Sequence, residues 1–166
     1  FNLIKFKIFY SSYWVNNTVE NNYFKKFKIL LIMKIFSKIN KDLKIGEIIK
    51  INDLKDGTTF YTADNDFLQV ASIFKNDKFE IKPHVHKENI RYTNRTQEAW
   101  ILIKGNIKID FFDIDNSYLS SDFLNPGDIS ILYNGGHAFK KKSEEMILYE
   151  IKNGPYDPAF LDKLDL

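Results

Sequence analysis

The most constraining feature of this sequence is a succession of short strand-sized segments between residues 45 and 151. Apolar or alternating stretches recur there, and each ends at a cluster of turn-forming residues. The clearest turns are Asp56-Gly57, Asn76-Asp77, Gly105-Asn106, Asn125-Pro126-Gly127-Asp128 and Asn134-Gly135-Gly136. The turn at Asn76-Asp77 leads into a predicted strand at residues 78–81. No long stretch has the 3.6-residue period of an amphipathic helix. The pattern predicts an all-β antiparallel sandwich or barrel.

The first 32 residues differ from the rest of the chain. They contain five lysines and one glutamate, a net charge of +4, which leaves −2 for residues 33–166 of a chain that carries +2 in total. Neither strand nor helix periodicity is evident in them. We predict an irregular or partly helical leader over residues 1–32, with Met33 as the natural start. Residues 33–166 then form a single barrel domain.

Composition and charge exclude several classes of protein. The chain has no cysteine, so it can form neither a disulfide framework nor a thiolate metal site. The apolar run Ile29–Met33 ends at Lys34, far short of a membrane span; a basic amphipathic membrane segment is the alternative for this region. With a body charge of −2 and no helix-turn-helix pattern in residues 33–57, we expect no nucleic-acid partner. We expect a cytoplasmic protein without a membrane partner.

The three histidines and one glutamate suggest a metal site. His84 and His86 are two residues apart, so in an extended segment their side chains point to the same side and can reach one ion. His137 follows the turn at Gly135-Gly136. Glu98 heads an apolar strand, where a carboxylate is costly unless it is paired or bound to a metal.

In order and spacing, these residues resemble the two motifs of the cupin superfamily, in particular small single-domain bacterial cupins. The matching positions are His84-x-His86, Glu98 followed after six residues by Gly105, and then Gly127, Gly135 and His137. The match has departures: eleven residues separate His86 from Glu98 where the motif has three or four, and Tyr133 replaces a proline. The resemblance implies a jelly-roll barrel with a metal held by His84, His86, Glu98 and His137.

The resemblance also implies a function class. Histidine and carboxylate ligands suit Fe, Mn, Zn, Ni or Co, and ligand type does not choose among these divalent metals. We expect an enzyme that isomerises or epimerises a sugar derivative, or a metal-dependent oxygenase, acting on a small polar or anionic metabolite. The alternative is a non-catalytic cupin that binds a small ligand, for example as a sensor.

Further side chains are candidates for the lining of the site. Arg91 and Arg95 lie in the segment between His86 and Glu98, and arginine suits recognition of carboxylate or phosphate. Trp100 is in phase with Glu98 along the strand. On the last strand either Glu150 or Tyr149 faces inward, because side chains alternate along a strand. The sequence does not show which of the two does so. A buried Glu150 would be a candidate catalytic acid or base.

A homodimer is the expected assembly. Barrels of this kind often pair through an N-terminal strand, and residues 45–62 are predicted to provide edge strands with a hydrophobic face.

Overall fold

The structure, a computed structural model, describes residues 32–155 and 163–166. Almost all of the predicted leader therefore lies outside the described residues. Ten strands and a single 3-10 turn at Ile51–Asp53 make up the regular structure of the described part. The strands are β1 Met33–Phe36, β2 Lys44–Ile49, β3 Gly57–Phe60, β4 Ala71–Phe74, β5 Glu98–Lys104, β6 Ile107–Phe112, β7 Tyr118–Leu124, β8 Ile129–Leu132, β9 Gly136–Lys141 and β10 Ile147–Lys152.

The strands form three antiparallel sheets. A five-stranded sheet has the order β1-β2-β8-β5-β10, a three-stranded sheet has the order β7-β6-β9, and β3 pairs with β4. Every strand pairing in the described residues is antiparallel. The all-β prediction is confirmed, and the architecture is consistent with a β-sandwich.

The main core lies between the two larger sheets. Trp100 and Leu102 of β5 and Ile109 and Phe111 of β6 belong to one buried cluster with apolar side chains from β2, β7 and β8. Gly46 of β2 is part of this close packing, since a Cβ there would come within 2.3 Å of the Phe111 ring. Burial of this apolar surface is the main stabilising contribution to the fold.

A second, smaller core covers the opposite face of the five-stranded sheet. Ala99 of β5, Ile131 of β8 and Ile49 of β2 pack there with Tyr61 and Tyr133. The segment between β2 and β4 supplies Leu54, Leu68 and Val70 to this cluster. Because both faces of β5 are buried, its sequence is a continuous apolar run rather than an alternating one.

Two expectations about the N-terminal half are wrong in detail. Residues 78–81, predicted as a strand, belong to a long irregular segment between β4 and β5 that spans residues 75–97. Within residues 45–62, β2 lies between β1 and β8 and is not an edge strand as the dimer prediction assumed, whereas β3 has only β4 as a neighbour among the described strands. Within the described residues, no helix is long and apolar enough to cross a membrane.

Candidate functional site

Two of the four predicted metal ligands meet on the inner side of the two larger sheets. Glu98 begins β5, where it pairs with Leu132 of β8, and His137 lies on β9 opposite Phe111. Their side chains approach to 3.5 Å between Nε2 of His137 and Oε2 of Glu98. Glu98 is only 4 % exposed. The fold therefore brings together residues that are far apart in the sequence and belong to different motifs.

Trp100 organises this pair. Its indole N–H donates to Oε1 of Glu98 at 2.5 Å and lies 3.3 Å from Oε2 of Glu150. Its ring stacks on His137 with centroids 4.0 Å apart and planes inclined by 14°. Phe139 packs edge-on against the same indole at 5.1 Å. The side chains of Glu98, Trp100, His137, Phe139 and Glu150 are called the Trp100 cluster below.

The electrostatics of the Trp100 cluster favour an ionised Glu98. Burial raises the pKa of Glu98, but hydrogen bonding with His137 and Glu150, the charge of His137 and the Trp100 N–H together outweigh it. The result is a pKa lowered from 4.5 to about 2. Near neutral pH the site thus presents a carboxylate, the form that can pair with an imidazolium or bind a metal.

The structure shows which side chains of β10 face the Trp100 cluster. Glu150 of β10 pairs with Trp100 of β5 and its carboxylate turns to the indole N–H. Lys152 Nζ lies 4.0 Å from the other Glu150 oxygen. Tyr149 points to the opposite face and is 61 % exposed. Of the two alternatives, Glu150 is therefore the side chain that joins the candidate site.

His84 and His86 lie elsewhere, in the irregular segment 75–97. Their rings are 5.1 Å apart, and Nδ1 of His84 is 2.9 Å from the backbone oxygen of Lys82. No hydrogen bond, ion pair or ring contact joins either of these exposed imidazoles to Glu98 or His137. Across residues 32–155 and 163–166, no group of three or more histidine and carboxylate side chains is arranged to hold a metal ion.

Arg91 and Arg95 line a separate cavity of about 680 Å³. Residues 64–69 form its other wall, and Gln97 lies between the two. Glu98, Trp100 and His137 are not among its lining residues. The structure thus assigns the two arginines to a different cavity from the Trp100 cluster.

Phe139 belongs to the cluster but was not among the predicted site residues. On β9, residues 137 and 139 share a face because side chains alternate along a strand. Phe139 was therefore recognisable as a neighbour of His137 once that histidine was singled out.

Comparisons with protein-family models, with curated proteins and with solved structures find no match to this chain.

Proposed function

We propose that this chain is a metal-binding barrel of the cupin type and an enzyme that acts on a small polar or anionic metabolite. The observation that carries the proposal is the approach of His137 to Glu98 within 3.5 Å beneath Trp100. Imidazole and carboxylate are suitable ligands for a divalent transition metal. This half of the expected ligand set therefore fits such an ion.

The strand order supports a jelly-roll arrangement. Strands β5 to β10 are divided between two sheets, with β8-β5-β10 in one and β7-β6-β9 in the other, and the chain crosses between the sheets four times. Jelly rolls are double-sheet structures built from antiparallel strands that cross between sheets in this way. In this proposal, the six strands form the main part of the barrel.

The histidines of the segment 75–97 would complete the ligand set. β9, which carries His137, pairs only with β6 among the described strands, so its second edge is available. If residues 82–86 added to that edge as a strand, His84 and His86 would approach His137 from the neighbouring strand. The proposal therefore includes a rearrangement of this segment.

Each residue of the site has a role in this proposal. Glu98, His137, His84 and His86 would hold the metal, which would polarise a bound substrate as a Lewis acid. The Trp100 N–H orients the carboxylate of Glu98. Glu150, on the exposed side of the cluster, would donate or accept a proton.

A second candidate is a non-catalytic protein that binds a small ligand. It is favoured by the cavity at Arg91 and Arg95, whose lining is separate from the Trp100 cluster. In that case the pair of Glu98 and His137 is a structural ion pair. Oxygen uptake and substrate turnover by the metal-loaded protein separate the two candidates.

Elemental analysis of the full chain, purified without added metal and again after loading with Fe, Mn, Zn, Ni or Co, tests the metal proposal. We expect a stoichiometric divalent metal in the parent protein and in Lys140→Ala, a control on an exposed position of β9. His137→Ala and His84→Ala are each expected to lose it. If the variant that carries both substitutions, His84→Ala and His137→Ala, retains as much metal as the parent protein, the proposed site is refuted. Loss in His137→Ala alone would remove the segment 75–97 from it.

A further inference from the structure

The cavity at Arg91 and Arg95 lies between two walls, residues 64–69 and residues 89–95, and Gln97 connects them. Gln97 is 5 % exposed, and its amide donates to Oδ1 of Asp66 at 3.1 Å while accepting the backbone N–H of Leu68 at 2.8 Å. Its own backbone N–H donates to Asn153 at 2.6 Å. The buried Gln97 amide, which lines the cavity, thus links the segment 62–70 to the start of β5.

The segment 62–70, which contains this wall, is held by hydrogen bonds between its own residues. Asp66 Oδ2 accepts the Ala63 backbone N–H at 2.8 Å, and the Gln69 amide donates to backbone oxygens of Ala63 and Asp66. The buried Thr62 hydroxyl accepts the N–H of Val70 at 3.0 Å. These bonds preorganise the wall, which reduces the ordering cost of binding a ligand.

The opposite wall is held by asparagine side chains. The Arg95 guanidinium donates to Oδ1 of Asn134, and the Asn153 amide donates to the backbone oxygen of Arg95 at 3.2 Å. The Thr93 hydroxyl donates to the same backbone oxygen at 3.0 Å. Arg91 and Tyr92, in contrast, project from this wall as exposed side chains.

We propose that this cavity is a binding site for a neutral carbohydrate. Its volume of about 680 Å³ lies within the range of small-molecule sites, about 300–1,000 Å³. The lining combines carboxylate, amide and guanidinium groups, which together offer donors and acceptors to hydroxyl groups. The lining also contains two aromatic rings, Phe67 and Tyr92, which can pack against the C–H face of a sugar.

The charge of the lining favours a neutral ligand over an anionic one. Asp64 and Asp66 balance Arg91 and Arg95, so the lining has no net charge. An anionic ligand would gain from the arginines but meet two carboxylates in the same cavity. A neutral polyhydroxyl compound pays neither desolvation of its own charge nor this repulsion.

The cavity shares no lining residue with the Trp100 cluster. Gln97 turns its side chain to Asp66, whereas its neighbour Glu98 turns to Trp100 on the other side of β5. A variant of the cavity therefore leaves the ligands of the Trp100 cluster unaltered.

Calorimetric titration of the full chain with maltose and with cellobiose tests the proposal, with glucose 6-phosphate and glycylglycine as anionic and zwitterionic comparisons. We expect saturable binding of a neutral disaccharide in the millimolar range. Loss of a hydrogen bond to a charged group in Arg91→Ala or Asp64→Ala should weaken it about tenfold or more. Lys87→Ala and Asp77→Ala, exposed positions outside the lining, should bind as the parent does.

Several outcomes would overturn the proposal. They are the absence of saturable binding by both disaccharides, binding of glucose 6-phosphate or glycylglycine alone, or equal affinity in Arg91→Ala, Asp64→Ala and the parent. Both cavity variants change exposed side chains, and matched thermal unfolding curves would show that any loss of binding is not a loss of folding.

Discussion

At the scale of single residues, Trp100 has contacts with every other member of its cluster. Its N–H faces two carboxylates and its ring packs on His137 and Phe139. An indole can do both because it combines a large apolar surface with one polar donor. Trp100 was expected to line the same cavity as Glu98, but its second hydrogen-bond acceptor, Glu150, comes from the neighbouring strand β10.

Trp100→Phe should destabilise the protein. The variant keeps an aromatic ring but removes the N–H, so the buried Glu98 carboxylate loses a donor. We expect a loss of about 1–3 kcal/mol in the free energy of unfolding, measured by urea denaturation. Tyr149→Phe, which removes a polar group from an exposed ring on β10, is the control and should change little. An unaltered unfolding curve for Trp100→Phe would contradict this account of the cluster.

Asp113 is a buried carboxyl whose charge should make stability depend on pH, as should the charge of Glu98. It is fully buried, and its carboxylate accepts the backbone N–H groups of Lys38 at 2.7 Å and Ile114 at 2.8 Å. Burial raises the pKa of Asp113, but hydrogen bonds from the Ser37 hydroxyl and from these N–H groups outweigh it and lower the pKa below 3.8.

A carboxyl whose pKa is lower in the folded state than in the unfolded state stabilises the fold when the pH is above the unfolded-state pKa. That contribution is lost as the pH falls into the acid range. The parent protein should therefore lose stability as the pH falls below about 4. Asp113→Asn should be less stable at pH 7 and lose less over the same acid range. Thermal unfolding from pH 7 to pH 3 measures both, and parallel pH profiles would contradict the prediction.

At the scale of elements, the turn between β5 and β6 depends on a glycine. Gly105 has φ +91°, and a Cβ there would lie 2.2 Å from the backbone oxygen of Glu145. Its neighbour Asn106 donates its backbone N–H to the Ser143 hydroxyl at 3.0 Å, which ties the turn to the segment before β10. Gly105 thus permits both the left-handed backbone conformation and the close approach of the Glu145 backbone oxygen.

Gly57→Ala is the matched control for Gly105→Ala. Gly57 also has a positive φ, +115°, but no atom lies within 4 Å of its hypothetical Cβ. Gly57→Ala should cost about 1–2 kcal/mol of conformational strain. Gly105→Ala should cost more, by about 1–3 kcal/mol, because backbone must also move. Equal losses in chemical denaturation would show that the close approach has no energetic weight.

Local sequence was sufficient for most strands and turns but not for residues 75–97. The turn residues at Asp56-Gly57 and Gly105-Asn106 predicted strand boundaries because their backbone preferences are local. The region around residues 78–81 has strand-like composition, yet it remains unpaired in the structure. A strand forms only where a neighbouring strand satisfies its backbone groups, and that partner is a property of the tertiary structure.

At the scale of the whole molecule, an apolar row on β10 is left exposed. Ile147, Tyr149 and Ile151 are 49 %, 61 % and 46 % exposed. Tyr149 and Ile151 lie on the face that carries the second core on β5 and β8, because Tyr149 pairs with Ile101 and Ile151 with Ala99. Among the described residues, no side chain of β10 belongs to this second core.

The homodimer stays a prediction, and this row gives it a location. We expect a second copy to cover β10, since large apolar patches are rarely left in water. Tyr149→Lys would place a charge in that interface and should shift the protein to monomer, as measured by sedimentation velocity. Lys41→Ala, an exposed position in the turn between β1 and β2, should leave the assembly unaltered. A monomeric parent protein would refute the dimer.

Local patterns of alternation and turn residues were sufficient to predict the all-β class and most strand positions. The proximity of Glu98 and His137 was expected only from the resemblance to the cupin motifs, and it arises from the packing of two sheets. That Glu150 rather than Tyr149 turns to Trp100, and that Arg91 and Arg95 line a cavity apart from Glu98, depends on tertiary contacts. Strand register and the packing of distant segments are set by contacts between parts of the chain that no local pattern relates.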